Sequence, residues 1–352
     1  MNTTILTLTS DPSDVLIPGM LWAEFNKSDI TAAVTMVTIK SILILCIFFG
    51  NGLVLIAFCR HPKLRRTLTN YLLASLAAAD ILIGVGCICG MIVIHSMVGF
   101  RSKHACLINI AVINFGACMS IIDLLFVALD RLVAIRWPLR YPSIITKRRV
   151  LWGQAGIVVL LIALTLLHYC GLHDWDEHVG CFPIYVSDNV FALAGMVAVV
   201  IVLCIIVGIY VYIFLVAKSH FVRIVKQEGA RDIHGHRPSL KDLKAAKMLF
   251  LIMAIFIICW GTSLSISIAI MKNHSFSTTL FILDNFGYSS MLLSSALNPL
   301  VYAFRSQEFR LAFGKLLRPF RVENSHLPEN TATTTSQSRT NDDVSSIAGI
   351  RF

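Results

Sequence analysis

Charged side chains are scarce in this chain. Asp, Glu, Lys and Arg make up 14% of its 352 residues, against 56% hydrophobic ones, and the mean hydropathy is +0.75. Soluble globular domains carry about 25% charged residues, so this composition excludes an ordinary soluble protein. Internal repeats are absent too, which argues against a transporter built from paired, Gly/Pro-broken spans. The loops leave no room for a soluble catalytic domain, so the chain is read as not an enzyme. The amino-terminal MNTTILTLTSDPSDV has no basic lead and no continuous apolar run. No cleavable signal peptide is expected, and the first span would serve as its own insertion signal.

What is present is a series of apolar stretches long enough to cross a hydrocarbon layer about 30 Å thick. They predict helical spans over 34–59, 69–94, 105–135, 149–169, 190–217, 242–271 and 279–304. The fifth contains no Asp, Glu, Lys, Arg or His. Helices are expected because lipid offers no partner to an unpaired backbone group. The fold class is therefore an all-α integral membrane protein, a seven-transmembrane helix bundle. Residues 1–33 form a short extracellular lead. RSQEFRLAFGKLL, within 305–318, has the pattern of an amphipathic helix lying on the inner surface, with Phe309, Leu311, Ala312, Phe313, Leu316 and Leu317 on its apolar side. Residues 319–352 are rich in Ser, Thr and Asn and are expected to be disordered.

The net charge of +10 is unevenly placed. With the amino terminus outside, segments 60–69, 131–149, 218–247 and 305–352 face the cytoplasm and hold 25 of the 30 Lys and Arg residues. That is the positive-inside pattern, so the basic balance reflects topology and not a nucleic-acid partner. The sequons at Asn2, Asn26 and Asn273 all fall on the outer side, which suits N-glycosylation. Most cysteines lie within spans, but Cys106, Cys170 and Cys181 lie at or near the oxidising outer face. The residues alone leave the partner of Cys106 open.

Three ionisable residues inside spans call for a partner, since each costs about 2.5–3.5 kcal/mol to insert. Asp80 and Asp123 lie in the second and third spans and Lys40 in the first. Asp123 reads as a structural acid bonded to Ser75 or another group of helices 2–4. Lys40 reads as a snorkelling lysine, or as the partner of Asp284 or of an anionic ligand group.

Short motifs in the right spans and order carry a resemblance. Gly50-Asn51 lies in the first span, SLAAAD ending at Asp80 in the second, and Cys106 and Asp130-Arg131-Leu132 at the two ends of the third. Phe256 and Cys259-Trp260 lie in the sixth, and Asn298-Pro299-Leu300-Val301-Tyr302 in the seventh. Over essentially its whole helical length the chain resembles a rhodopsin-like (class A) G-protein-coupled receptor. AIRWPLRY and SLAAAD are similar to adenosine receptors, and YAFRSQEFR to melanocortin and cannabinoid receptors. The departures are Leu132 for the family's tyrosine, Val158 for its tryptophan, Val202 for the fifth-span proline, and Gly261-Thr262 where the sixth span has x-Pro.

The resemblance implies a plasma-membrane receptor with the bundle closed by a short amphipathic helix 8. It is implied to pass an extracellular ligand signal to heterotrimeric G proteins through movement of helix 6. It assigns the G-protein switch to Asp130, Arg131, Asp242, Pro138, Leu139, Asn298, Pro299 and Tyr302, with Phe256 and Trp260 as the toggle. Arg136 and Arg140 would lie near lipid phosphates. A sodium ion would sit in a polar core of Asn51, Asp80, Ser120, Ser294 and Asn298, and no other cofactor is implied. The ligand wall would include Lys40, Ile113, Asn114, Ala117, Phe182, Trp260, Ser263, Ser267, Asp284 and Tyr288. Cys106 is taken with Cys181 as the disulfide. Tail hydroxyls would serve receptor kinases and arrestin, and the tail has no cysteine for a palmitoyl anchor. Ile113, Ser267 and Leu292 stand where aminergic receptors, adenosine receptors and opsins have Asp, Asn and Lys, which argues against those three ligand classes. The altered sixth-span motif and Leu132 also suit a constitutively active or ligand-independent receptor homologue. A transporter or channel is the reading from a different class.

Overall fold

In the computed structural model the described residues are 27–95, 102–175, 181, 186–228, 240–271, 278–305 and 307–317, and some side chains within them, chiefly 217–228, 240–253 and 301–305, lie outside the description. Seven long helices cross one another in a single bundle: α1 (Lys27–Arg60), α2 (Leu68–His95), α3 (Lys103–Arg136), α4 (Lys147–Cys170), α5 (Asn189–Glu228), α6 (Leu240–Met271) and α7 (Thr278–Arg305). An eighth, α8 (Gln307–Leu317), follows. No strand occurs among the described residues beyond an isolated bridge between His173 and Ser187. By length and composition α1–α5 can each cross a membrane, and α6 contributes the shorter apolar stretch Ala254–Ile270. α1 already includes the seven residues before the apolar run, and α5 continues past it to at least Glu228.

Helix starts are set by side-chain oxygens that take up free backbone N–H groups. Ser102 accepts from Ala105 at 3.4 Å, Thr146 from Arg149 at 3.3 Å and Asp188 from Phe191 at 2.8 Å. Between α3 and α4 a four-residue helix, Tyr141–Ile144, turns the chain.

The most informative contact joins α1 to α7. Pro299 sits inside α7 and has no N–H, so the carbonyl four residues earlier, that of Ser295, loses its helical donor. Asn51 supplies one, its Nδ2 lying 3.2 Å from the Ser295 oxygen. Gly50 makes room for the ring: a Cβ there would lie 2.9 Å from Pro299 Cγ. Gly50-Asn51 is thus the complement of the helix 7 proline. Gly50→Ala is expected to lower stability by about 1–3 kcal/mol through overpacking. Gly52→Ala, whose Cβ would meet nothing within 4 Å, should be neutral. Thermal melting of the two purified variants checks this.

α6 runs unbroken through Gly261. In place of a proline, Thr262 and Ser265 donate back to the carbonyls of Ile258 and Gly261 at 2.9 and 2.8 Å, a pattern that tends to bend helices. α8 is pinned by buried Phe309, Ala312 and Phe313 and by Asn70, which donates to Glu308 at 3.0 Å. Leu311, expected on its apolar side, is 59% exposed. At the opposite end of the bundle Cys106 is bonded to Cys181, and Cys170 is free and exposed. Around that bond pack Leu107, Ile110 and Val186, with Val93, Tyr169 and Trp175 against them.

Candidate functional site

The end of α3 holds a clasp. Asp130 is 2% exposed and pairs with the Arg131 guanidinium at 2.6 Å. The same carboxylate oxygen accepts from the Thr69 hydroxyl of α2 at 2.9 Å. Arg131 in turn donates to Thr69, and the other Asp130 oxygen accepts from the Tyr141 phenol at 2.5 Å. The carboxylate is buried and held by Arg131, Thr69 and Tyr141 while the arginine is 27% exposed, so the costly break is the one that strands the carboxylate, at about 3–5 kcal/mol. Leu132 removes a phenol from the motif, but the loop regains one from Tyr141. Burial, and then the bond to Asp130, push the Tyr141 phenol up to about 12, so it donates throughout the physiological range. The side chains of Asp242 and Tyr302, also assigned to this switch, lie outside the described residues. Pro138 and Leu139 are exposed, Leu139 fully so.

Beside the clasp, Tyr210 of α5 is buried and its hydroxyl has no partner among the described residues. It lies close enough to Arg131 and Asp130 to feel both charges.

Deeper in the bundle the Asp80 carboxylate is fully buried. It accepts from Ser295 at 2.8 Å, Asn298 at 2.9 Å and Ser120 at 3.3 Å. Ser294, expected in this cluster, instead donates to the Met291 carbonyl at 2.7 Å; its neighbour Ser295 takes the place. One helical residue is about 100° of rotation, and the two serines cannot be ranked from sequence. Above the cluster Phe256 and Trp260 stack with ring centroids 5.3 Å apart. α6 meets α7 where Ser290 donates to the Cys259 carbonyl at 2.9 Å.

Seven long helices around a buried carboxylate, a cysteine bridge from α3 to the loop before α5, and the Asn51–Pro299 junction define a specific architecture. The sequence pattern of the family described as "7 transmembrane receptor (rhodopsin family)" matches residues 50–302. The chain belongs to the rhodopsin family of seven-transmembrane receptors. It is a G-protein-coupled receptor. Adenosine receptor A2b of Gallus gallus is 31% identical over 333 residues, covering 86% of this receptor and 93% of the relative. Cannabinoid receptor 2 of Rattus norvegicus is 28% identical over 288 residues, 77% and 76% of the two chains. Trace amine-associated receptor 13c of Danio rerio is 28% identical over 292 residues, 79% and 84%.

Toward the end of the bundle that carries the Cys106–Cys181 bridge, Lys40 donates to Asn285 at 2.5 Å, lies close enough to Asp284 for the two charges to act on each other, and is 4.9 Å from the Tyr288 ring centroid. Tyr288 and Cys87 meet at 3.2 Å. Asp284 itself is exposed, as is Asn114. Ile113 packs beside Gly86, where a Cβ would come within 2.5 Å of it. Ala117 and Trp260 are buried, and Ser263 and Ser267 are half-buried on α6. Phe182, Asn2, Asn26 and Asn273 lie outside the described residues. Asp123 is a structural acid: Gln154 of α4 donates to it at 2.6 Å and to Ser75 of α2 at 3.4 Å, so one amide ties three helices.

Proposed function

We propose that the receptor passes an extracellular ligand signal to a heterotrimeric G protein by releasing Arg131 from its clasp, in a plasma membrane with the amino terminus outside. The observation that carries this reading is the buried Asp130–Arg131–Thr69–Tyr141 network, which closes the end where the G protein would dock. A ligand near Trp260 shifts the population toward a state in which α6 moves outward. Arg131 then turns from Asp130 toward the opened cavity, where the unpartnered Tyr210 hydroxyl is ready to receive it. Asp242 adds a second restraint from α6, Tyr302 moves with α7, and Pro138-Leu139 presents an apolar knob to the G protein. The receptor's tail hydroxyls, once phosphorylated by receptor kinases, give arrestin a negatively charged partner. The sequons at Asn2, Asn26 and Asn273 carry glycans on the outer side.

Transfected cells read for cAMP and calcium against a mixed library of nucleosides, lipids and peptides test the core of this. Ligand-evoked G-protein activation supports it. High signalling in the absence of any ligand would favour the ligand-independent homologue, and substrate flux without G-protein activation would overturn both. Tyr210→Phe is expected to cut the maximal ligand response several-fold while leaving ligand-free signalling low, since the phenol is unused in the closed state. An unchanged maximum would remove Tyr210 from the scheme.

The polar core also fits a sodium ion. Its donors are carboxylate, hydroxyl and amide oxygens, the hard set that alkali and alkaline-earth cations prefer, and the buried Asn51 Oδ1 has no partner among the described residues. Asp80, Ser120, Ser295 and Asn298 would hold the ion, with Asn51 beside them, and its charge would neutralise the Asp80 carboxylate. Agonist affinity is expected to fall when sodium replaces a large organic cation, and Asp80→Asn to abolish that difference. Affinity independent of sodium in the unmodified receptor would refute the site.

A further inference from the structure

A cavity of about 480 Å3 opens on the outside of the bundle between α3 and α5, lined by Leu132, Arg136, Trp137, Ile205, Gly208 and Tyr212 among others. Its size falls in the range of small-molecule sites, about 300–1,000 Å3. Three features of the sequence create it. Leu132 lines the wall with methyl groups where the family's tyrosine would bring a hydroxyl. Gly208 leaves the α5 wall bare, for a Cβ there would meet nothing within 4 Å. Arg136 and Trp137 end the helix at the mouth, the Arg136 guanidinium 5.6 Å from the Trp137 ring centroid.

The chain spans a membrane, so what faces this cavity is lipid. An empty apolar groove forfeits dispersion contacts along its whole wall, and an acyl chain is the group at hand to restore them. The mouth supplies selection. Among the described residues the Arg136 guanidinium makes no hydrogen bond and no ion pair; its partner is the face of Trp137. An arginine in this condition offers its planar N–H groups to a phosphate, and a tryptophan beside it suits the headgroup layer. We propose that this groove is a binding site for one anionic glycerophospholipid, its phosphate on Arg136 and an acyl chain along Leu132, Ile205 and Gly208. A zwitterionic lipid brings its own ammonium against the guanidinium, whereas an anionic one does not. A second groove, of about 400 Å3 between α2, α3 and α4, is lined by Ile108, Val112, Phe115 and Ile162 among others and has no charged residue, so nothing there selects a headgroup. The proposal uses the orientation given above only to name the leaflet, the cytoplasmic one, and its test does not depend on that orientation.

The receptor is placed in phosphatidylcholine nanodiscs containing a small fraction of brominated-acyl lipid, either phosphatidylglycerol or phosphatidylcholine. Quenching of Trp137 is taken as the difference between the unmodified receptor and its Trp137→Phe variant, each as a ratio to the unbrominated disc. Brominated phosphatidylglycerol should reach half-quenching at a roughly fivefold lower mole fraction, the effect of one basic residue near a charged lipid surface. Arg136→Gln should abolish the preference while Arg136→Lys retains it, which separates lost charge from misfolding. Gly208→Leu, on a lipid-facing wall where folding tolerates it, should reduce quenching by both lipids. Equal quenching by the two headgroups, a preference that survives Arg136→Gln, or quenching unaltered by Gly208→Leu would each overturn the proposal. G-protein signalling plays no part in this readout, so its failure and that of the switch are distinguishable.

Discussion

Asp130→Ala is expected to raise ligand-free G-protein activation by about tenfold or more. Hydrogen bonds to a charged group contribute about 1.5–3 kcal/mol each. Removing even one such contact from the closed state, at about 1.4 kcal/mol per factor of ten, moves the active-to-resting ratio by an order of magnitude. The variant should still fold, because the arginine left behind is 27% exposed, reaches water and keeps Thr69 as an acceptor. Arg131→Ala is the asymmetric case. It strands a carboxylate that is 2% exposed, costs about 3–5 kcal/mol, and removes the group proposed to meet the G protein, so coupling should be lost at matched surface expression. Asp130→Asn discriminates further, since it keeps the shape and loses the charge. Basal signalling of Asp130→Ala and Asp130→Asn equal to the unmodified receptor's would sink the clasp. The Tyr141 phenol, raised above its ordinary 10 to about 12, adds its stabilisation fully below pH 10 and loses it as pH rises through 12. Basal activity should therefore show no tyrosine-dependent change between pH 6 and 9, and a tyrosine titration in that range would contradict the assigned bond.

Cys181→Ser should be the most damaging single change at the other end. The bridge closes a separation of 75 residues, and in the chain-entropy account a loop of that length is worth about 4 kcal/mol. That is a large share of the 5–15 kcal/mol by which folded domains are stable. It also fastens the loop to α3 over the cluster of Leu107, Ile110 and Val186. Surface expression and thermal stability should collapse for Cys106→Ser and Cys181→Ser alike, while Cys170→Ser, a free exposed thiol, leaves both unchanged. Normal expression of Cys181→Ser with a loss in Cys170→Ser would mean that the bond is wrongly placed.

Spans and landmarks were legible in the sequence because hydropathy and spacing are local properties. Asp80, Asn298 and Trp260 could be placed from their motifs, and Asp123 from the rule that a buried acid needs a partner. Tyr141 could not, because its meeting with Asp130 depends on a four-residue helix that folds the loop back on itself. Thr69 and Tyr210 were missed because they come from other helices, and neither stands out from the polar and aromatic residues around it. Asn285 joined Asp284 beside Lys40, and Ser295 took Asp80 from Ser294. Both turn on single positions of α7, the helix that contains Pro299 and whose local phase no periodicity in the sequence can report.

The buried Asp80 has a mechanical consequence. Two of its three donors, Ser295 and Asn298, lie three residues apart on α7 and grip different oxygens of one carboxylate. A small axial slip of α7 would stretch both contacts together. The carboxylate is therefore placed as a detent, which α7 leaves only by giving up both contacts at once. A receptor geared this way would turn a graded push at one end of the bundle into a stepwise movement of α7.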